Sequence, residues 1–390
     1  MKVLLIGADG YMGWPLACQL ADNPNVSKLT LLDNLITRLK VKEVGGNSVL
    51  PINEYQQRSD KLAKKYKNKN ISFIVGSVTK MELVTELSKQ KFDVIYHLGH
   101  LRTAPYSMLS HEACVETVIN NEIGFLNLIW ALKDNSRDTL LIKLGSFGAY
   151  APTGLKIPES DIYLTQQDSE KSKVKVPYPK MAFDFYHLTK ANDSLFGRVA
   201  CRNWGLRIID VMQSTVFGVS SHYTEKMAEN TRLDYDQIYG TVLNRFILQG
   251  LMGMPLSVYG DGQHSSGIMV LKDAIAVLSE LATESLAPGE FRVINNNPRS
   301  YKIIELAKKV ETVLSAKGIK VEISVDEFDP RNEKNEKAEY YTTTADSQFF
   351  RNNFIETPLE NEIKATSGIL KDHLASVNRE VIYPTLVWST

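Results

Sequence analysis

Short apolar runs alternate with amphipathic segments through the first half of the chain. The apolar, β-branched runs are Lys2–Ile6, Leu29–Leu32, Ile71–Val75, Val94–Leu98, Leu140–Leu144 and Arg207–Met212. Helical spacing of apolar residues predicts helices over Tyr11–Asp22, Met81–Gln90, Thr117–Leu132 and Phe183–Asn203. Strands that are apolar along their whole length are buried on both faces, so the alternation predicts a parallel sheet between two helical layers. We therefore predict an α/β protein with a Rossmann-type, doubly wound parallel sheet.

The pattern changes after Thr215, where loops lengthen and the predicted strands become short. These short strands are Leu256–Tyr259, Phe291–Ile294 and Val321–Val325. We expect this part of the chain to form a smaller C-terminal substrate-binding lobe against the carboxyl edge of the sheet. The dinucleotide-binding domain is then residues 1–215 together with roughly 267–285, and the lobe is residues 216–266 and 286–390.

The charges of the chain balance. Among 390 residues, 45 Lys and Arg face 45 Asp and Glu, so the formal net charge is zero. Strong nonspecific nucleic-acid binding needs a basic surface, so we expect no nucleic-acid partner. The basic run KLAKKYKNKN, in an insertion between Thr37 and Asn70, is interpreted as a solvated helix end and loop. The charged stretch Asp326–Ala338 is predicted to be a surface loop.

The composition favours a cytoplasmic protein. No apolar run approaches the ~20 residues that span a bilayer, and MKVLLIG runs into a glycine turn instead of a cleavage site. Cys18, Cys114 and Cys201 are far apart, as expected for reduced thiols. His97 and His100 end a predicted strand with no third ligand in view, so a structural or substrate-facing role is favoured over a metal site.

A glycine-rich turn follows the first predicted strand. Gly7, Gly10 and Gly13 open the first helix, where backbone N–H groups and the helix dipole favour a pyrophosphate. Asp33 ends the second strand, 20 residues beyond Gly13. A carboxylate there accepts hydrogen bonds from a ribose diol and repels a 2′-phosphate, so the set predicts NAD as the cofactor. Arg38 lies nearby but does not by itself make an NADP site.

Ser146, Tyr186 and Lys190 form the candidate catalytic set. Ser146 ends the fifth predicted strand, and Tyr186 and Lys190 lie one helical turn apart on one face. A free phenol has a pKa of ~10. To act as a base near neutrality, its pKa must fall to about 7, a change worth roughly 4 kcal/mol. The Lys190 ammonium and a positive nicotinamide ring are the charges that favour the phenolate.

These motifs together resemble the extended short-chain dehydrogenase/reductases, the NAD-dependent epimerases and dehydratases. Within them, GADGYMGW (7–14), PYPKMAFDFYHLTK (177–190) and RLDYDQIYGTVLNRF (232–246) resemble the UDP-sulfoquinovose synthase family, and the similarity runs from residue 1 to Trp388. The resemblance implies tightly bound NAD, a nucleotide-sugar substrate such as UDP-glucose, oxidation of the sugar at C4, and a homodimer paired through the two long helices.

Site residues also follow from the resemblance. The expected catalytic residues are Ser146, Tyr186 and Lys190. The expected cofactor-binding residues are Gly7, Gly10, Tyr11, Met12, Gly13, Asp33, Asn34, Arg38, Ser77, Val78, Leu98, Asn121, Tyr186, Lys190 and Gln213. The expected substrate-binding residues are Arg102, Ser146, His187, Gln213, Thr241, Arg245 and Arg331. Helix packing for His187 and a surface salt bridge for Arg102 stay open as alternatives.

The chain departs from the family pattern near this site. Phe147 and Ala149 replace a methionine and a glutamate after the catalytic hydroxyl residue. His100-Leu101 stands for Glu-Gln, Ser265-Ser266 for Thr-Arg, and Ser77 for an aspartate. The C4 oxidation residues are intact.

Three functions stay open from the sequence. Dehydration across C5–C6 needs a base and an acid, which related dehydrating enzymes take from just after the catalytic Ser or Thr. Phe147, Gly148 and Ala149 transfer no proton, and His187 does not obviously serve as both groups. We therefore favour nucleotide-sugar 4-epimerisation over dehydration with sulfite addition. A non-catalytic NAD-binding regulator is the third alternative, although the chain keeps both Tyr186 and Lys190.

Overall fold

The computed structural model describes most of the chain. The described residues are 1–150, 156–160, 164–169, 172–176, 180–219, 221–326, 345–383 and 385. The strands are β1 Lys2–Ile6, β2 Lys28–Asp33, β3 Asn70–Val75, β4 Val94–His97, β5 Leu140–Leu144, β6 Leu164–Ser169, β7 Ser172–Val176, β8 Arg207–Gln213, β9 Thr215–Phe217, β10 Leu256–Tyr259, β11 Ser265–Val270, β12 Phe291–Asn296, β13 Arg299–Lys302 and β14 Ile323–Asp326.

Helices alternate with the strands in the first part of the chain. They are α1 Gly13–Asp22, α2 Ile36–Glu43, α3 Tyr55–Lys65, α4 Met81–Ser88, α5 Ala104–Met108, α6 His111–Val118, α7 Gly124–Asn135, α8 Phe185–Trp204, α9 His222–Met227, α10 Val242–Leu251, α11 Leu271–Glu280, α12 Ile303–Ser315, α13 Gln348–Asn353 and α14 Leu359–Leu370. A π-helical turn, Ile119–Ile123, joins α6 to α7. Among the described helices, none combines the length and the apolar character that a bilayer crossing requires.

Seven parallel strands form the central sheet, in the order β12-β8-β5-β4-β1-β2-β3. The chain runs outward from β1 through β2 to β3, and then returns to place β4 on the other side of β1. The strand order therefore reverses beside β1, and this switch point leaves a crevice outside the carboxyl ends of β1 and β4. The predicted Rossmann-type α/β fold is confirmed.

The core has two layers on the sheet and a third cluster in the lobe. Trp14 and Leu16 of α1 pack with α11 on one face, whereas α4, α7 and α8 cover the other face. Both faces of β1, β2, β4, β5 and β8 are buried, as the continuous apolar runs predicted, whereas the edge strand β3 is only partly buried. The lobe has its own core, in which Leu243 and Phe246 of α10 pack with α12 and α14.

Phe291–Ile294 was wrongly predicted as a strand of the small lobe. The strand β12 instead extends the central sheet, where Phe291 pairs with Ile208 and Asn296 with Gln213. A short apolar run does not reveal which sheet it joins, because pairing partners lie far away in sequence. The division into a cofactor domain and a substrate lobe otherwise stays a prediction, with β12 assigned to the cofactor side.

The predicted Thr117–Leu132 helix is also not one regular α-helix, because the π-turn interrupts it. An extra residue in a turn is difficult to read from apolar spacing, since the stripe on either side keeps a helical period. The insertion between Thr37 and Asn70 forms α2 and α3, and its basic run begins in the last turn of α3. Most of the predicted loop Asp326–Ala338 lies outside the described residues.

Candidate active site

A cavity of about 530 Å³ lies at the carboxyl ends of the central strands and extends to the lobe. Its size is that of a typical small-molecule site. The predicted site residues that line it are Gly7, Gly10, Tyr11, Met12, Gly13, Asp33, Asn34, Val78, Leu98, Arg102, Ser146, Tyr186, His187, Lys190, Gln213 and Thr241. The structure therefore brings together the glycine turn, the catalytic set and much of the expected substrate site.

The glycine turn fits a dinucleotide. Gly7 has a positive φ of 86°, and a Cβ on Gly13 would lie 1.9 Å from the Gly7 carbonyl oxygen. Only glycine allows the helix to approach the strand so closely. At Gly7, Gly10 and Gly13 the turn therefore presents only backbone to the cavity, at the start of α1, where a pyrophosphate is favoured.

Asp33 lies where the ribose diol of such a cofactor is expected. It ends β2 and lines the cavity, and its Oδ2 accepts a hydrogen bond from the Asp9 backbone N–H at 2.8 Å. Its Oδ1 accepts a second bond, from the Leu35 N–H at 2.7 Å. Burial raises the pKa of Asp33 to about 6, with the Asp9 charge adding to the effect.

Four predicted site residues do not line the cavity: Arg38, Ser77, Asn121 and Arg245. Arg38 is bonded to Asp9, Ser77 to Thr79, and Arg245 packs its guanidinium over the Tyr259 ring at 5.8 Å. Arg331 lies outside the described residues.

Asn121 connects two elements beneath the cavity. It sits in the π-turn, and its Nδ2 donates to the Leu101 carbonyl at 3.1 Å and to Thr189 Oγ1 at 3.0 Å. Its Oδ1 accepts from the Leu101 N–H at 2.8 Å. The side chain thus ties the loop after β4 to α8, the helix that carries the candidate base, instead of lining the cavity.

Ser146 and Tyr186 meet in the cavity from two different elements. Ser146 follows β5 and caps a short 3₁₀ turn, Phe147–Ala149, by accepting from the Gly148 N–H at 3.3 Å. Tyr186 lies in the first turn of α8, whose N-cap Asp184 accepts from the His187 N–H. Burial raises the pKa of Tyr186, so the phenolate needs a nearby positive charge.

The Arg102 charge lowers the pKa of Tyr186. Lys190 is a second nearby charge, with its Nζ 5.6 Å from the centre of the Tyr186 ring. The ammonium donates to the Leu144 carbonyl at 2.7 Å and bonds His100 Nδ1 at 2.9 Å. His100 Nε2 in turn bonds Asp193 Oδ2 at 2.7 Å. Since Lys190 donates to one ring nitrogen, the other carries the proton and donates to the carboxylate.

These groups form a buried chain, Lys190–His100–Asp193. Burial, followed by the charge of Lys143, lowers the pKa of Lys190 to about 7, and Asp193 acts against this shift. Burial likewise lowers the pKa of His100, so the imidazole is neutral. Burial raises the pKa of Asp193 to about 7, against the charges of Lys143 and Lys190. When ionised, the Asp193 carboxylate favours the charged form of Lys190.

A second buried carboxylate supports the same region. Asp210 on β8 accepts from Lys143 Nζ at 2.9 Å and lies 3.5 Å from Lys180 Nζ. The lysine charges outweigh the burial that would raise the pKa of Asp210, which is lowered. Three lysines and two aspartates thus interact at this side of the cavity, with one formal positive charge in excess.

His187 is held by Asp184. The imidazole Nδ1 bonds Asp184 Oδ2 at 2.6 Å, so the carboxylate fixes the proton on Nδ1 and leaves the lone pair on Nε2. A Cβ on Gly148 would lie 2.4 Å from Nε2, so this nitrogen faces the turn after Ser146. The arrangement can accept or deliver one proton within the cavity.

Arg102 lines the substrate side of the cavity but is already paired. It bonds the buried carboxylate of Asp234 and donates to the Tyr239 carbonyl at 2.9 Å. Arg232 also binds Asp234, at 2.8 Å, so the two arginines share one carboxylate and leave one net positive charge. The alternative of an exposed surface salt bridge does not describe this contact.

The buried partners of the site were missed in the sequence. Asp184, Asp193 and Asp9 each pair with a residue that was named, but only Asp184 has a local signal, as an N-cap before a helix. Among the described residues, no group of three or more His, Cys, Asp or Glu side chains could hold a metal ion.

Sequence comparisons relate this chain to proteins of known family. The sequence model of the NAD dependent epimerase/dehydratase family matches residues 3–295. UDP-sulfoquinovose synthase of Sulfolobus acidocaldarius is 35% identical over 86% of this chain and 84% of its own length. The chloroplastic UDP-sulfoquinovose synthase of Spinacia oleracea is 34% identical over 87% of this chain and 69% of its own.

Solved structures share the fold. UDP-glucuronic acid 4-epimerase from Bacillus cereus, in complex with UDP-glucuronic acid and NAD, superposes with a TM-score of 0.67 at 19% identity, over 95% of this chain and 99% of that one. UDP-N-acetylglucosamine 4-epimerase from Methanobrevibacter ruminantium gives a TM-score of 0.66 at 18% identity, over 94% and 97%. Family membership leaves the non-catalytic regulator without support. The chain belongs to the NAD-dependent epimerase/dehydratase family and is an enzyme whose cofactor is NAD.

Proposed function

We propose that this enzyme is a nucleotide-sugar 4-epimerase that works through a 4-keto intermediate. The observation that carries the proposal is the meeting of Ser146 and Tyr186 in one cavity with the glycine turn and Asp33. The substrate class follows from the relatives that act on UDP-sugars, and from Thr241, Ser265 and neighbouring residues at the lobe side of the cavity.

The residues divide the chemistry at C4 between them. The Tyr186 phenolate accepts the proton of the C4 hydroxyl, and Ser146 positions that hydroxyl by hydrogen bonding. NAD, held along the glycine turn when bound, is the hydride acceptor in this class of reaction. Lys190 favours the phenolate by its charge. When hydride returns to the opposite face of the ketone, Tyr186 gives the proton back and C4 is inverted.

Epimerisation is favoured because it needs no acid or base beyond the groups that act at C4. Phe147 and Gly148 line the cavity directly after Ser146, where an acid or base would serve dehydration, and Ala149 is buried behind them. None of these three side chains transfers a proton. The keto-sugar of an epimerase only has to turn within the cavity before it is reduced.

Dehydration, with or without sulfite addition, is the second candidate. His187 is oriented by Asp184, and its Nε2 faces the turn after Ser146, so one base for the C5 proton is available. The relatives at 35% and 34% identity are UDP-sulfoquinovose synthases. The reaction also needs an acid for the C6 hydroxyl, and Phe147, Gly148 and Ala149, the residues directly after Ser146, do not supply one.

Turnover in D₂O separates the candidates. A panel of UDP-, GDP-, ADP- and dTDP-sugars, with products followed by mass spectrometry, first identifies the substrate. We expect an epimeric product of unchanged mass with no deuterium at C5. Deuterium at C5, loss of water, or a sulfonated product in the presence of sulfite would establish the second candidate instead.

His187→Gln provides the matched variant for that experiment. Glutamine keeps a polar side chain beside Asp184 but cannot abstract a carbon-bound proton. Epimerisation should continue within a few-fold of the unmodified rate, whereas C5 exchange would disappear if the second candidate operates. Loss of epimerisation in this variant would place His187 in the C4 chemistry itself.

We further propose a homodimer. Apolar side chains form two exposed stripes on neighbouring helices, α6–α7 and α8, which Asn192 and Glu122 join by a 2.8 Å hydrogen bond. The stripe residues are Val115, Ile119, Ile123, Trp130, Leu188, Leu195 and Val199. Exposed apolar area of this kind marks an association surface, and a second copy of the same two helices would cover it.

Light scattering tests the dimer. At micromolar concentration the unmodified protein should have the mass of two chains, and Leu195→Lys with Val199→Lys should give single chains, because these side chains are 50% and 54% exposed. Ile355→Lys is the control, since Ile355 is 94% exposed elsewhere and should leave the dimer intact. An unmodified protein that is monomeric would refute the proposal.

A further inference from the structure

Asp9 lies inside the glycine turn, yet its carboxylate does not line the cavity. It is 3% exposed, and its backbone N–H donates to Asp33 Oδ2. The side chain points away from the turn to two arginines from the insertion, Arg38 of α2 and Arg58 of α3. Asp9 therefore connects the glycine turn to Arg38 and Arg58, the two cations that it contacts among the described residues.

Arg38 is held by this contact through its Nε and NH2 groups. Its Nε donates to Asp9 at 2.5 Å, and its NH2 donates to Asp9 at 2.8 Å and to the Asn53 carbonyl at 2.9 Å. Its NH1 lies 3.7 Å from a Glu54 carboxylate oxygen. The guanidinium follows Asp33 by five positions in the chain, close to the ribose end of the site, but its bonds to Asp9 and Asn53 hold it outside the cavity lining.

Arg58 is bound in the same way from the other side. Its NH1 donates to Asp9 at 3.0 Å and its NH2 to the Asn230 carbonyl at 2.8 Å. The guanidinium is buried and lies 3.9 Å from the centre of the Trp14 ring. Packing on Trp14 fixes Arg58 in place, so Arg38 is the guanidinium that could turn toward a ligand if it were released.

We infer that Asp9 is a second determinant of NAD specificity, which acts by occupying Arg38. A 2′-phosphate requires arginine N–H groups that are turned toward it, and bidentate pairing with Asp9 holds the Arg38 guanidinium away from the cavity. The phosphate then meets Asp33 with no compensating cation. Asp33 discriminates by lining the site, whereas Asp9 is a positioning residue that keeps a nearby arginine from serving NADP. This inference rests on the cofactor and not on the proposed epimerisation.

A double-mutant cycle tests the inference by binding alone. Full-length protein is dialysed against equimolar NAD⁺ and NADP⁺, and the retained nucleotides are separated and quantified. We expect Asp9→Asn to raise the retained NADP⁺:NAD⁺ ratio by about tenfold or more, the order of one charge-assisted hydrogen bond. Arg38→Gln alone should change the ratio less than about twofold, and Asp9→Asn with Arg38→Gln should return it to the unmodified value.

Two comparisons make the cycle decisive. Asp33→Ala should weaken NAD⁺ retention and reduce discrimination whether or not Arg38 is present, because that carboxylate acts directly. Asp9→Asn leaves Arg58 with an unpaired buried charge, which can prevent folding. In that case the double variant Asp9→Asn with Arg58→Met, in which Arg38 is intact, is measured in its place. An unchanged ratio in a folded Asp9 variant, or a gain that persists without Arg38, would overturn the inference.

Discussion

Tyr186→Phe is expected to slow turnover by about 10²–10⁴-fold while substrate binding changes little, because the substitution removes only the proton acceptor of C4 oxidation. The phenol lies in the cavity near Lys190, and phenylalanine fills nearly the same volume. The measurement is kcat and KM for the identified nucleotide sugar. The loss should be in kcat and in kcat/KM alike, with substrate affinity retained.

Tyr106→Phe is the matched control for that experiment. Tyr106 is a buried tyrosine of α5 that does not line the cavity, and its hydroxyl donates to Glu116 at 2.6 Å. Its removal should leave kcat within a few-fold. Undiminished turnover of Tyr186→Phe would show that another group removes the C4 proton, and an equal loss in both variants would indicate a general structural effect.

The parts of the site that the sequence predicted are those whose residues are close together along the chain. The glycine turn and the pair Tyr186 and Lys190 are local patterns, in which one strand–helix junction or one helical turn fixes the geometry. Asp33 followed from its distance to Gly13 within one βαβ unit. All four of these groups line the same cavity.

The parts that the sequence did not predict depend on contacts between distant segments. His100 and Asp193 are 93 positions apart and meet only because α8 packs beside the end of β4. Arg58 and Asp9 are 49 positions apart and meet across the insertion. Such pairs carry no spacing signal, since either partner alone has the pattern of an ordinary loop or helix residue.

The buried chain behind Lys190 leads to the second large expected effect. In Asp193→Asn the carboxylate that favours the charged form of Lys190 is lost, while Lys143 remains. The pKa of Lys190 should fall further, so Lys190 becomes neutral at a pH where Tyr186 still needs its charge. The Asp193 charge itself raises the pKa of Tyr186, but Asp193 lies one residue further away, behind His100. The loss of charge on Lys190 should therefore dominate, so that the pKa of Tyr186 rises and turnover near neutral pH falls by about 10²-fold.

The pH profile shows whether Asp193 acts on the base or only on the fold. The value of kcat/KM rises with pH as Tyr186 loses its proton. In Asp193→Asn this rising limb should move to higher pH, so kcat/KM should recover in part in alkaline buffer. The variant should lose no more than about 1–3 kcal/mol of stability, because His100 is neutral and asparagine can still accept its hydrogen bond. His100→Gln is the control, because its amide can accept from Lys190 and donate to Asp193, and its rising limb should stay near that of the unmodified enzyme. A folded Asp193→Asn protein with lower activity but an unshifted limb would mean that the chain only supports packing, since a structural defect lowers the rate equally at every pH.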